Sequence, residues 1–339
     1  MDFGIFVPFH RFSNSTSEAE IFDRAMEMVQ FAEEVGFKCV WFPEHHLVQY
    51  IMCPSPLMWC IHAAAQTKKI RVGTCIIVVP YYDPRRLAGE IGLTDQLTKG
   101  RLELGIGRGA FGYEFERFGI DAEIGAARMR ESMDVVEGLL KTDDFEYHGQ
   151  TVSFPPSTAV PRPLQGDFPP VWVAARSSDT HKWAIERGYN IMITPWREPF
   201  ERVKFLYNQI DSVIQSVKPA KRPKIAASRM TFVGEDEDEA LQGMKDVGLN
   251  HRLFTHLFEN SERVTGGFTA PDPVPDEYSL ETLRNNLVAG SPKTCVEKLK
   301  MYEGLGIDHY IVYAAFSQDY KITKKSLRLF ADKVMPHFS

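Results

Sequence analysis

The stretch Cys39-Val40-Trp41-Phe42-Pro43-Glu44-His45-His46 runs apolar for its first half and then ends in an acid and two imidazoles. Such a segment reads as a buried strand that delivers titratable groups to its C-terminal end. In a barrel of parallel strands that end carries the chemistry, because its loops vary while the staves stay packed. An imidazole titrates near neutrality, so the expected chemistry moves a proton.

On either side, short runs rich in branched and aromatic residues alternate with longer amphipathic stretches, the pattern of repeated strand and helix units around a parallel sheet. Eight such runs stand out: Phe3–Val7, Val40–Phe42, Arg71–Val78, Leu102–Gly105, Val171–Ala174, Ile191–Ile193, Ile225–Val233 and Tyr310–Tyr313. Between them Glu20–Val35, Leu87–Leu97, Met129–Leu140, Phe200–Val217, Glu235–Val247, Thr294–Leu305 and Lys324–Met335 carry helical periodicity. The expected fold is α/β, a (β/α)8 TIM barrel forming one domain over residues 1–339. Two stretches break the rhythm. Phe145–Phe154, with Gly149-Gln150 at its centre, predicts a small surface hairpin, and the Pro-rich stretch 155–170 predicts a stiff connector. Glu259–Tyr278, with Gly266-Gly267 and three prolines, predicts an irregular loop serving as a mobile lid.

Net charge is -6 over 339 residues, with both signs interspersed. The absence of a basic block excludes a nucleic-acid surface and leaves small molecules as the expected partners. The five cysteines are odd in number and show no C-x-x-C spacing, which predicts reduced thiols and a cytoplasmic location. No leader-like segment or bilayer-length apolar run is present, so no membrane association is expected.

Adjacent strand residues point to opposite faces, so His45 and His46 do not naturally share a metal, and the chain has no His-x-His spacing. A metal-dependent hydrolase is thereby demoted, and no metal is expected. In the third run, Gly73 and Thr74 leave room for a flat ligand to approach the backbone, unless the run is simply a core strand. After the fourth, Gly107-Arg108-Gly109 couples free backbone N–H groups to a guanidinium, a combination suited to phosphate. The alternative is an ion pair of Arg108 with Glu103 or Glu114, and Gly112 is expected to interrupt any helix starting there. Arg176-Ser177-Ser178-Asp179-Thr180 places hydroxyls at a helix N-terminus, where a phosphate would be held, although an ordinary cap by Ser178 or Asp179 also accounts for it. Trp196 puts an indole at the mouth, and Phe6, Trp41 and Trp59 are expected to line an apolar cavity. His10, after the first strand, faces either substrate or a structural partner.

Taken together, Glu44-His45-His46, Val72-Gly73-Thr74, Gly100-Arg101-Leu102 through Gly109, Phe118-Gly119, Pro170 to Ala174, Gly290-Ser291-Pro292 and Asp332 to Pro336 make the chain resemble the luciferase-like flavin monooxygenases along essentially its whole length. That resemblance implies reduced FMN delivered by a separate flavin reductase. Oxygen then forms a flavin C4a-hydroperoxide, one oxygen atom going to an apolar aldehyde- or ketone-like substrate and the other leaving as water. It implies His45 as the catalytic histidine, and Cys75 and Ile76 under the isoalloxazine, where the family often has a non-proline cis peptide. It also implies Arg108, Ser177 and Thr180 at the phosphate and Trp196 near the ring. Gly107 stands where the light-emitting member has a reactive cysteine and Arg176 where it has an acid, so bioluminescence is not expected. A homodimer or heterodimer through the helices after strands two and three is implied as well. Two other readings stay open: a deazaflavin-dependent hydride-transfer enzyme and a non-catalytic partner subunit.

Overall fold

The computed structural model describes residues 1–275, 277–314 and 319–338. Eight parallel strands form the barrel: β1 (Asp2–Phe6), β2 (Cys39–Phe42), β3 (Arg71–Thr74, resuming as Ile77–Val78), β4 (Leu102–Gly107), β5 (Val171–Ala174), β6 (Asn190–Trp196), β7 (Ile225–Val233) and β8 (His309–Tyr313). Each pairs with its successor, and β8 pairs with β1 in the register Phe6 to Tyr313, which closes the cylinder. The TIM barrel expected from the apolar runs is the fold. No helix among the described residues is long and apolar enough to cross a membrane.

Several elements differ from expectation, each for a local reason. The third stave runs as two short pieces, and a cis peptide between Cys75 and Ile76 lies between them. The helix expected over Glu235–Val247 splits into Glu237–Gly243 and Val247–Glu259, Gly243 lying flat against the Phe232 ring. Gly112, expected to interrupt a helix, instead opens the helix Gly112–Phe118. The helix expected to run to Met335 ends at Leu329 and widens into a π turn over Phe330–Val334 that buries both of those end residues. The surface hairpin pairs Phe145–His148 with Ser153–Ser157, and its second strand takes in the first prolines of the expected connector. Glu259–Tyr278 is not wholly irregular. Val264–Thr265 and Phe268–Thr269 pair across Gly266 and Gly267, whose φ values of +58° and +82° lie in the left-handed region that favours glycine, while residue 276 lies outside the described residues.

The barrel interior is closed from below by one side chain. Trp41 is 1% exposed, its Nε1 donates to Nε2 of His309 at 3.1 Å, and its ring meets Trp172 edge-on at 5.8 Å. Gly4 and Gly73, on the strands either side, make the space for it: a Cβ at Gly73 would stand 2.5 Å from the indole, and one at Gly4 2.7 Å from Nε1. The flat group for which Gly73 leaves room is therefore the chain's own tryptophan, not a ligand. Thr74, the other small residue of that pair, donates its hydroxyl to the carbonyl of Gly105 at 2.7 Å. Trp41, in register with Phe6 on the neighbouring strand, thus packs into the floor with Trp172 and His309 rather than forming a wall of an open cavity.

Substitution Gly73→Ala should lower unfolding free energy by about 1–3 kcal/mol through overpacking. Gly89→Ala, whose Cβ would meet nothing nearer than 3.8 Å in a helix, should be neutral or stabilising by up to about 1 kcal/mol. Denaturant titration of the pair checks both. Burial holds His309 down to about 4, in keeping with its Nε2 accepting from Trp41. The folded chain refuses a proton that the unfolded chain takes up below about 6.5. Stability should therefore be intact above that pH and decline as pH falls towards 4, and His309→Gln should flatten the decline.

Candidate active site

The end of β2 sets the direction of the three titratable side chains beyond it. The chain leaves the strand at Pro43 and turns at Leu47, whose φ is +60°, so Glu44, His45 and His46 fan out over the C-terminal end of the barrel. His45 stacks on Phe111 at 4.2 Å and meets Tyr50 edge-on at 6.3 Å. His46 turns the other way, edge-on to Tyr81 and Phe118.

Each imidazole has a buried carboxylate. His45 Nδ1 lies 3.0 Å from Oε1 of Glu114, which is 1% exposed; that carboxylate also accepts the His46 backbone N–H at 2.7 Å and the Tyr81 hydroxyl at 3.3 Å. Glu44 Oε1 lies 2.8 Å from His46 Nε2, while its Oε2 accepts from the Val78 N–H and the Tyr82 hydroxyl. Burial raises the Glu44 carboxyl, against the opposing pull of His46 and the Val78 N–H. With Nδ1–H directed at Glu114, the lone pair of His45 is on Nε2, which makes it a base oriented by a carboxylate.

A second group forms where β4 and β5, neighbours in the barrel, end. Ser177, not Ser178 or Asp179, caps the helix Ser178–Glu186: its Oγ accepts from Thr180 N–H and lies 3.0 Å from the Thr180 hydroxyl. Arg130, on the helix Gly125–Lys141, donates Nη2 to that hydroxyl at 3.3 Å, and its Nε is enclosed without a partner. Arg108 is exposed and touches only the carbonyl of Ala122 among its hydrogen-bond acceptors, so neither Glu103 nor Glu114 pairs with it. Glu103 is taken by Arg71 and Trp172 instead. These hydroxyls, guanidinium groups and free helix N–H groups are the donor set an anionic phosphate requires.

Between the two groups lies the cis peptide Cys75–Ile76. The Ile76 side chain fills the space a Cβ at Gly107 would take, and Cys75 Sγ sits 3.2 Å from Met192 Sδ, its thiol pushed up to about 12 by burial. Trp196, with φ +45°, packs on Phe254 at 4.9 Å and edge-on to Tyr313 at 5.4 Å, while Phe6 meets Tyr313 at 4.6 Å. His10 is buried in a polar knot, its Nε2 accepting from Asn250 at 3.1 Å and facing the Tyr313 hydroxyl at 2.9 Å. Burial and the nearby His45 hold it down to about 3, so it is a neutral hydrogen-bonding group.

The structure thus gathers His45, His10, Phe6 and Trp196 at one end of the barrel, with Cys75 and Ile76 below and Arg108, Ser177 and Thr180 at the ends of the adjoining strands. Trp59 is not among them. It packs on the outer layer against Phe9, Phe22 and Phe42, because Phe42 faces away from the lumen that Trp41 enters. Sequence reasoning missed Glu114, Arg130, Tyr50, Asn250, Phe111 and Phe254. Only Glu114 left a trace, as an acid within reach of a glycine-rich turn. Among the described residues no three His, Cys, Asp or Glu side chains converge as a metal site would need.

Residues 1–309 match the family of luciferase-like monooxygenases. The oxygenase component of the flavin-dependent trigonelline monooxygenase of Acinetobacter baylyi is 33% identical over 348 residues, covering 100% of this chain and 96% of that protein. A monooxygenase from Streptomyces bottropensis superposes with a TM-score of 0.87 at 24% identity, covering 100% of both chains. The oxygenating constituent of 3,6-diketocamphane monooxygenase from Pseudomonas putida, in complex with FMN, does so with a TM-score of 0.80 at 21% identity, covering 99% and 98%. The chain belongs to the luciferase-like monooxygenase family.

Proposed function

We propose that this protein is the oxygenase of a two-component, cytoplasmic system that takes reduced FMN from a separate flavin reductase. It uses O2 to oxygenate a small organic molecule. The observation that carries the reading is the pairing of a carboxylate-oriented base, His45 with Glu114, with phosphate donors at the same end of one barrel. Reduced FMN, when bound, supplies the redox chemistry: with O2 it gives oxidised FMN, one oxygen atom inserted into substrate and one molecule of water.

The chain's own residues do the rest. Arg108, Arg130, Ser177 and Thr180 hold the phosphate, the unpartnered Nε of Arg130 being one donor that a phosphate oxygen would satisfy. Ile76, Cys75 and Gly107 form a flat bed for the ring, since no side chain projects from 107. His45 Nε2 accepts and returns the proton that the balance of the reaction moves, and Glu114 supports the imidazolium. Phe6, Trp196, Phe111 and Phe254 keep water from the reacting centre. The hairpin 264–269 acts as the lid. Its Gly267 carbonyl accepts the Gln49 N–H at 2.7 Å, and a cavity of about 470 Å3 opens between Tyr50, Leu253 and Phe268 at its edge. Exposed Met58, Leu93 and Leu97 on the helices after β2 and β3 favour a dimer through that face.

The reading is tested by supplying regenerated reduced FMN and O2 with a substrate panel that includes trigonelline, and by following product masses. A gain of one oxygen is the expected result. Turnover with a reduced deazaflavin and no oxygen uptake would replace the assignment by hydride transfer, and no saturable binding of reduced FMN would make the chain a supporting subunit. His45→Ala should reduce coupled product formation by about a hundredfold or more while leaving reduced-FMN affinity within about threefold. Glu114→Gln should lower turnover by about tenfold to a hundredfold with reduced-FMN affinity nearly unchanged, because His45 loses the carboxylate that orients its Nδ1–H. Arg130→Met should weaken reduced-FMN binding by about tenfold to a hundredfold, with turnover at saturating FMN nearly unchanged.

A further inference from the structure

Arg197 follows Trp196 at the C-terminal end of β6, and its backbone is fixed by the Asn286 amide, which donates to the Arg197 carbonyl at 3.1 Å. Its guanidinium lies 5.8 Å from the centre of the Phe254 ring and within electrostatic reach of Tyr50, Tyr313 and His251. Nε and Nη1 are both enclosed, and neither has a hydrogen-bond partner among the described residues. Among the described residues no carboxylate forms an ion pair with it. Glu277 is held by Arg252 at 2.6 and 3.0 Å, and the neighbouring Glu198, whose charge reaches the guanidinium without a hydrogen bond to it, is exposed and sits 3.5 Å from Arg202.

Arg229, a residue of β7 that is 0% exposed, shows what a structural arginine looks like in this fold: its Nε has no partner among the described residues, but both terminal nitrogens donate, to the carbonyls of Trp196, Glu198 and Asn286. Arg197 has no such set. A guanidinium stays charged at any physiological pH, and an enclosed charge without a counter-ion is costly unless something that binds there supplies one. The surroundings describe that ligand. Ring contacts run without a gap from Trp196 to Phe254 at 4.9 Å, on to Phe111 at 5.4 Å and to His45 at 4.2 Å, so one aromatic wall joins the cation to the base. The Tyr50 hydroxyl donates to Asn250 at 3.2 Å, adding a polar edge to the same end.

We propose that Arg197 anchors the carboxylate of the organic substrate, so that this oxygenase acts on a small, flat organic acid lying along the Trp196–Phe254–Phe111 wall with its reacting part towards His45. The inference rests on the oxygenase reading and narrows it from apolar carbonyl compounds to carboxylates. Free guanidinium nitrogens match carboxylate oxygens, and aromatic faces match a planar body. The phosphate of FMN has its own donors at Arg108, Arg130, Ser177 and Thr180.

The experiment is anaerobic calorimetry on the full chain, first with reduced FMN and then, on the FMN-loaded protein, with benzoate, nicotinate and trigonelline, each against its carboxamide. At least one acid should bind the wild-type protein about tenfold or more tightly than its amide, as a charge-assisted hydrogen bond requires. Arg197→Met should lose that preference by weakening the acid alone, with reduced-FMN affinity unchanged, and Arg197→Lys should recover part of it. Acids that bind no better than amides in the wild-type protein overturn the proposal, and that comparison needs no folded variant. Acid preference surviving in Arg197→Met also overturns it, as does a loss of FMN affinity with the preference intact. An acid preference in a wild-type protein that shows no saturable FMN binding would support the anchor while removing the oxygenase reading, so the two fail separately.

Discussion

An eight-stranded barrel has a lumen just wide enough to be filled by side chains, and the whole arrangement of this protein depends on how Trp41 fills it. The indole takes the volume released by Gly4 and Gly73 and is fixed by a hydrogen bond to a neutral His309. With the bottom sealed, functional groups can gather only at the opposite end, where the turns after β2, β4, β5 and β6 project. The position of His45 depends on that of Trp41. The strand ends between them, at Phe42, and the short segment Pro43-Glu44 carries the chain on to the imidazole, which stacks on Phe111.

Above this floor the site is organised by charge. Two enclosed carboxylates, Glu44 and Glu114, are each tied to an imidazole and to a tyrosine hydroxyl and a backbone N–H. Such ties make a buried acid tolerable and leave it little freedom to move. The cations stand elsewhere: Arg108, Arg130 and Arg176 near the caps after β4 and β5, and Arg197 after β6. A ligand with an anionic tail would meet cations on one side of the mouth, and the carboxylate proposed for Arg197 would meet its donor on another.

The barrel was legible because its staves are continuous apolar runs and its helices keep their 3.6-residue period. Both signals survive without knowledge of any partner. Glu44-His45-His46 was legible for the same reason, as titratable groups set at the end of such a run. What could not be read were features created by packing between distant segments. Gly73 looked like room for a ligand because the sequence does not say that Trp41, on the neighbouring strand, points into it. Trp59 looked like a lumen residue because its helix has no marker of which tryptophan faces inward. Glu114 and Arg130 lie on helices whose own patterns are ordinary, and they acquire meaning only when folding brings them to His45 and Thr180. The hairpin across Gly266 and Gly267 was hidden by the prolines after it, which mark a loop whether or not two short strands precede them.

The Cys75 thiol has a further consequence. Flavin oxygenases that lose their substrate release hydrogen peroxide, and the species peroxide attacks is the thiolate, not the thiol. Burial pushes Cys75 up to about 12, and Cys39, Cys53, Cys60 and Cys295 are raised as well. Every sulfhydryl of the protein is thereby kept protonated. The sulfur nearest the proposed flavin bed is therefore held as the thiol, the less reactive of its two forms.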